Sequence, residues 1–223
     1  MTVFGGIMYK YVFFDLDGTV LNTIDDLAAA GNHALRVQGL PVYETGRYKY
    51  FVGNGIPKLI ERILPPDRVD KLYERTHELF SEYYSQHSED MTRPYEGIPE
   101  LLGSLLELGI KTAVITNKDN EFAQVLIKKY FGDMVTAVYG SIPGTPHKPD
   151  PYWVNAALAD FGAEKDSVLY VGDSGVDMQT ANNAGLTGVG VLWGFRGEEE
   201  LRENGAAYIC REPSEILDIV KNN

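Results

Sequence analysis

Two aspartates one residue apart, Asp15 and Asp17, end the apolar run Tyr11-Val12-Phe13-Phe14 and are followed by Gly18 and Thr19. Carboxylates at this spacing, beside a glycine that lets the backbone turn sharply, face one small volume and can hold a hard divalent cation. Aspartate and glycine are also the commonest turn residues, so the pair taken alone is equally an exposed turn. A helix-loop-helix calcium site starting at Asp15 is excluded, because its sixth position needs glycine and Val20 stands there. Three later stretches carry chemistry that could join the two acids. Thr116-Asn117 offers a hydroxyl and an amide at what reads as a helix start, where free N–H groups attract anions. Lys148 is held stiffly next to Pro149, and Gly172-Asp173 is followed four residues later by Asp177. Each of these also has an ordinary reading, as an N-cap threonine, a solvated lysine or an N-cap aspartate.

The elements between these groups decide whether they meet. Four strand formers before Asp15, too few for a helix, read as a strand buried on both faces, which favours a parallel sheet. Thr23 then opens a helix with Asp25 and Asp26 in its first turn and Leu27, Ala30, Ala34 and Leu35 on one face. Helical spacing returns at 57–63 and from Pro66 to about Ser88, and no comparable strand signal appears between Asn22 and Arg93. From Tyr95 onward the pattern alternates: helix at 97–108, strand at 110–115, helix at 121–130, strand at 135–139, helix at 151–161, strand at 168–171. A helix at 176–184, a strand at 189–191 and a final strand and helix follow. The expectation is an α/β fold, a doubly wound parallel sheet built from residues 1–21 and 94–223, with an inserted all-helical domain at 22–93 laid over the strand ends. In such a sheet, turns at the carboxyl ends of strands converge, so Asp15, Thr116, Lys148 and Asp173 are expected on one rim.

This ordered set, Asp-x-Asp, Thr-Asn, Lys-Pro and Gly-Asp-x-x-x-Asp, resembles the haloacid dehalogenase superfamily of phosphotransferases over nearly the whole chain. Single pieces are unspecific; the set in this order is highly specific. The resemblance implies the phosphatase branch, since the dehalogenase branch lacks the second aspartate, and makes the helical insert the family's small α-helical cap. It further implies Mg2+ held by Asp15, the backbone carbonyl of Asp17 and Asp173. Asp15 would attack phosphorus and become an aspartyl phosphate, and Asp17 would serve as general acid and base. Thr116 and the Asn117 N–H would grip phosphoryl oxygens, Lys148 would contact both Asp15 and the phosphoryl group, and Asp177 would order Lys148 or metal-bound water.

Substrate choice falls to the cap. Its segment Val52-Gly53-Asn54-Gly55 looks like that of phosphoglycolate phosphatases within the family, and Arg47, Lys49 or Lys58 would supply a cation for a substrate carboxylate. Asn22 departs from relatives, which commonly carry an acid shortly after the first motif. The expected activity is hydrolysis of a small phosphorylated metabolite, 2-phosphoglycolate first. An inorganic pyrophosphatase or sugar phosphomutase would use the same core. A phospho-aspartate signalling module is more remote, being about half this length and lacking a helical insert.

Composition narrows the classes. The 223 residues, 44% hydrophobic and 23% charged, suffice for a large core. A net charge of -12 argues against a nucleic-acid surface. The single Cys210 precludes an internal disulfide and suits a reducing cytoplasm. It sits in a strand as a small buried hydrophobe. No apolar run reaches spanning length, and the opening residues lack the basic and apolar regions of an export signal, with Met1 and Met8 both possible starts. Monomer and homodimer are both open.

Overall fold

The computed structural model describes residues 9–222. In chain order these form β1 (Tyr11–Phe14), β2 (Leu21–Asn22), α1 (Ile24–Val37), α2 (Thr45–Phe51), α3 (Gly55–Ile63), α4 (Val69–His87), β3 (Arg93–Pro94) and α5 (Ile98–Glu107). Then follow β4 (Lys111–Asp119), α6 (Asn120–Phe131), β5 (Ala137–Ser141), α7 (Tyr152–Phe161), β6 (Val168–Gly172), α8 (Gly175–Ala184), β7 (Thr187–Val191), α9 (Glu198–Glu203), β8 (Tyr208–Cys210) and α10 (Pro213–Asn222). Six strands make one parallel sheet in the order β5-β4-β1-β6-β7-β8.

The alternation of strand side chains builds the layers. Val12 and Phe14 of β1 enter a core with Leu101, Leu105, Leu126 and Ile216, on the side of α5, α6 and α10. Phe13 points the other way, into a core with Val154, Leu158, Tyr170 and Ala184, against α7 and α8. The central strand is thus apolar on both faces, as its composition demands. The chain runs from β1 to β4 and β5 on one side, then crosses back to place β6 on the other. The strand order therefore reverses beside β1, and a crevice opens at the carboxyl ends of β1 and β6.

Between β2 and β3 the chain is helical. Leu27, Leu35, Tyr48, Ile60, Phe80 and Tyr84 give α1 to α4 a hydrophobic cluster of their own, which also takes in Phe195 from the sheet side. Two features at the crossing are absent from the sequence expectation. β2 and β3 pair antiparallel, Leu21 with Pro94 and Asn22 with Arg93; two residues per strand are too few to leave a pattern. Asp26, fully buried, accepts N–H bonds from Met91 and Thr92 at 3.0 and 2.8 Å, so it joins α1 to the returning chain.

Other boundaries shift for local reasons. Thr45–Phe51, for which the sequence pattern carries no helical expectation, form α2 with Tyr48 buried in the cluster, and residues 52–54 connect it to α3. The strand expected to stop at Ile115 runs as β4 to Asp119, with its register against β5 slipping between Ile115 and Asp119. Thr116 and Asn117 therefore lie before the helix rather than at its start. The N-cap of α6 is Asp119, whose carboxylate accepts from Glu121 N at 3.0 Å. At α8 the cap is Ser174, in a capping box with Asp177, and not Asp173. Cys210 is buried, and burial pushes its thiol up to about 12. No helix among the described residues is long and apolar enough to cross a membrane.

Candidate active site

β1 delivers Asp15 and Asp17 to the crevice, and Gly18 makes their turn possible. Its φ is +94°, and a Cβ there would lie 2.3 Å from Asp173 Oδ2, so only glycine fits. β6 delivers Asp173, and the first turn of α8 delivers Asp177. Lys148 reaches in from the segment between β5 and α7, with its peptide held at both ends by the Asn117 side chain. Lys148 N donates to Asn117 Oδ1 at 2.8 Å, and Asn117 Nδ2 donates to Lys148 O at 3.2 Å.

All three ammonium donors of Lys148 are engaged. Nζ lies 2.6 Å from Asp15 Oδ1, 2.7 Å from Asp177 Oδ1 and 3.2 Å from the Ile115 carbonyl. Burial opposes its charge, but Asp15 and Asp177 more than reverse that and hold the amine well above the ordinary lysine range. The other Asp177 oxygen accepts from Ser174 Oγ at 2.6 Å and Ser174 N at 3.1 Å. Asp173 Oδ2 accepts from Phe195 N at 2.7 Å, and Oδ1 from Thr19 Oγ1 at 3.4 Å.

Asp15, Asp173 and Asp177 each place one oxygen within 4.8 Å of the others. Burial, then the Asp177 charge, raises Asp15 well above the usual carboxylate range despite Lys148. The same two causes push Asp173 up to about 7. One lysine does not balance this many buried carboxylates, and a hard divalent cation among three oxygens would. The donor set fits such an ion.

A titration follows from that imbalance. Unfolded carboxylates titrate near 4, so between about 4 and about 7 the folded chain binds more protons than the unfolded one. In chelator, stability is therefore expected to fall as pH rises through this window. Divalent cation at pH 7.5 should restore it, by roughly 2.7 kcal/mol at a hundredfold excess over Kd. Urea midpoints at pH 5 and 7.5, with EDTA or with metal, measure this; equal midpoints in all four conditions would remove the metal reading.

The Asp17 carboxylate stands apart from the triad. Its Oδ1 accepts from Lys118 Nζ at 2.9 Å and from Thr23 Oγ1 at 2.7 Å, beside the start of α1. Lys118, buried, was not anticipated from the sequence, although it directly follows Thr116-Asn117. Burial opposes its charge, Asp17 reverses this and raises it, and its Nζ lies 5.2 Å over the Tyr84 ring.

A cavity of about 40 Å³ lies above these groups. Asp15, Asp17, Thr116, Asn117, Lys118 and Asp173 form its floor, and Leu27, Val52, Ile56, Leu59 and Phe195 its apolar side. Gly53 and Gly55 of the helical insert also line it. Arg47 and Lys58 do not: both are exposed, and Lys58 pairs with Glu61 at 2.5 Å. The Asn54 side chain accepts from Arg62, and Lys49 is outside the lining as well. Among the described residues the cations lining the cavity are Lys118 and Arg196. Arg196 too escaped the sequence reading; the available signal was its place just beyond β7, on the same ligand-facing edge.

A six-stranded parallel sheet with its acids at the switch point is matched by the family model of the haloacid dehalogenase-like hydrolases over residues 12–191. The chain belongs to this family, and within it to the phosphatases, enzymes that cleave phosphoric monoesters. It is 30% identical to the phosphoglycolate phosphatase of Vibrio vulnificus strain YJ016, covering 95% of this chain and 96% of that one. Identity to the phosphoglycolate phosphatase of Neisseria meningitidis (serogroup A, serotype 4A) is 35% over 82% of this chain and 80% of the relative. A crystal structure from Lactobacillus delbrueckii subsp. bulgaricus, of a protein proposed to be a phosphoglycolate phosphatase, superposes with a TM-score of 0.91 at 30% identity. That superposition covers 96% of this chain and 98% of the other.

Proposed function

We propose that the protein is a Mg2+-dependent phosphatase that hydrolyses a small carboxylate-bearing monoester, 2-phosphoglycolate first, through an aspartyl phosphate on Asp15. The observation that carries this reading is the Lys148 ammonium bridging Asp15 and Asp177 beside Asp173, at the floor of the cavity. Lys148 ties down Asp15 Oδ1, which leaves Oδ2 to attack phosphorus. As the Asp15–P bond forms, the bond to the leaving oxygen breaks and Asp17 supplies its proton. Asp17 then takes a proton from the water that attacks the acyl phosphate, which frees phosphate and regenerates the Asp15 carboxylate. Lys118 and Thr23 orient Asp17 for both transfers. The Thr116 hydroxyl, the Asn117 N–H and Lys148 meet the phosphoryl oxygens, whose charge otherwise repels the nucleophile. Asp15, the Asp17 carbonyl and Asp173 would hold Mg2+, with Asp177 steadying Lys148; when bound, the ion neutralises phosphoryl charge.

Residues 22–93 act as a cap. The cavity has room for roughly three waters by volume, which favours a leaving group of a few atoms. Purified protein with Mg2+, screened against p-nitrophenyl phosphate and a panel of phosphorylated metabolites, should give its highest kcat/KM on 2-phosphoglycolate. Hydrolysis of no monoester would overturn the reading, and turnover without release of free phosphate would replace it with a mutase.

A further inference from the structure

The loop after β7 is built against the acids. Phe195 N donates to Asp173 Oδ2, and Trp193 Nε1 donates to the Thr19 carbonyl at 2.9 Å. Gly194 comes so close that a Cβ there would lie 2.3 Å from the Asp173 Cβ and 2.4 Å from the Gly18 carbonyl. From this anchorage two side chains cross to the helical insert. Phe195 is buried in the cluster of α1 to α4. Arg196 Nη2 donates to the Val52 carbonyl at 3.1 Å, Nη1 donates to the Lys49 carbonyl, and Nε lies 3.3 Å from Glu200.

Asn117 catches the same segment from the other side. Its Nδ2 donates to the Gly53 carbonyl at 3.1 Å while its amide holds the Lys148 peptide. Three carbonyls at and just beyond the end of α2 are thus gripped by two side chains of the core, one from the loop tied to Asp173 and one bonded to Lys148. Carbonyls at a helix end lack partners and carry partial negative charge, which a rigid guanidinium fork satisfies two at a time. The Arg196 side chain is only 12% exposed, so solvent screens these bonds little.

We propose that Arg196, acting with Asn117, is a specificity-determining latch: it seats Lys49–Gly53 over the cavity and so limits the leaving group to a small one. This rests on the phosphatase reading of the site. Three of the five N–H donors of Arg196 face protein oxygens and its guanidinium lies 5.6 Å over the Tyr50 ring, which favours seating the segment over direct capture of a substrate carboxylate.

The test compares wild type with R196A and R196K. It uses hydrogen–deuterium exchange of the peptide spanning residues 48–56, and kcat and KM for 2-phosphoglycolate and the bulkier p-nitrophenyl phosphate. For R196A the latch predicts exchange faster by about fivefold or more. Selectivity for the small ester over the bulky one should drop by about tenfold or more, chiefly through KM for the small ester. R196K, with the charge and a single point donor, should lie between. Unchanged exchange would overturn the proposal, and so would a loss confined to carboxylate-bearing esters without faster exchange, since Arg196 would then touch substrate itself. If R196A does not fold by circular dichroism, R196K and R196Q decide by the same two readouts. Should wild type hydrolyse no monoester, the phosphatase reading falls, and the exchange comparison still decides whether Arg196 seats the segment.

Discussion

Asp15→Asn is expected to lower kcat by about 10⁴-fold or more, the scale seen when a covalent nucleophile is removed. The amide keeps the shape of the side chain and its oxygen still accepts from Lys148, but it has no electron pair of carboxylate basicity for phosphorus. Stability should not fall with activity. Asp15 is held above its usual range by burial and then by the charge of Asp177, so its ionised form is a cost to the folded chain in the absence of metal. A neutral isostere removes that cost, and the melting temperature in EDTA should equal or exceed that of wild type. Single-turnover assays with 2-phosphoglycolate, run beside thermal unfolding, measure both effects. Retained turnover would strip Asp15 of its role.

Lys148→Met is expected to destabilise the fold as well as silence it. Breaking a buried ion pair by deleting one partner costs roughly 3–5 kcal/mol, because the remaining charge is buried and unpaired. Here two carboxylates lose their common partner, with side chains only 10% and 1% exposed. For a domain of this size the loss corresponds to roughly 10 °C in Tm. The deficit should be largest near pH 8 and should shrink toward pH 5. Asp15 is already raised with Lys148 present, is raised further without it, and so takes up its proton earlier as pH falls. Urea denaturation in EDTA at both pH values measures this. A deficit under about 1 kcal/mol at pH 8 would mean that Lys148 is not what makes this acid cluster tolerable.

Much of the core was legible because its signals are local. Phe13 and Phe14 followed by Asp15 mark a strand buried on both faces that ends in acid, and Gly172-Asp173 repeats the signal at β6. Parallel alternation then forces both ends onto one edge. The capping boundaries were less legible. Thr116 reads as a helix start because threonine is a common N-cap, whereas β4 runs three residues past it to Asp119, its register against β5 shifting on the way. The hydroxyl of Thr23, read as a cap, donates instead to Asp17. Tertiary partners overrode local preference at both positions.

From the amino-acid order alone came the sheet, the helical insert and the chemical types that gather at the strand ends, since each depends on periodicity or on turns a few residues long. Folding alone decided which cations face the cavity: Lys118 and Arg196, rather than Arg47, Lys49 or Lys58. The physical reason is distance along the chain. Lys118 lies 101 residues from Asp17, and Arg196 lies 144 from Val52, so no spacing rule couples them. Pairing of β1 with β4 brings Lys118 to Asp17, and packing of the insert onto the sheet edge brings Arg196 to Val52.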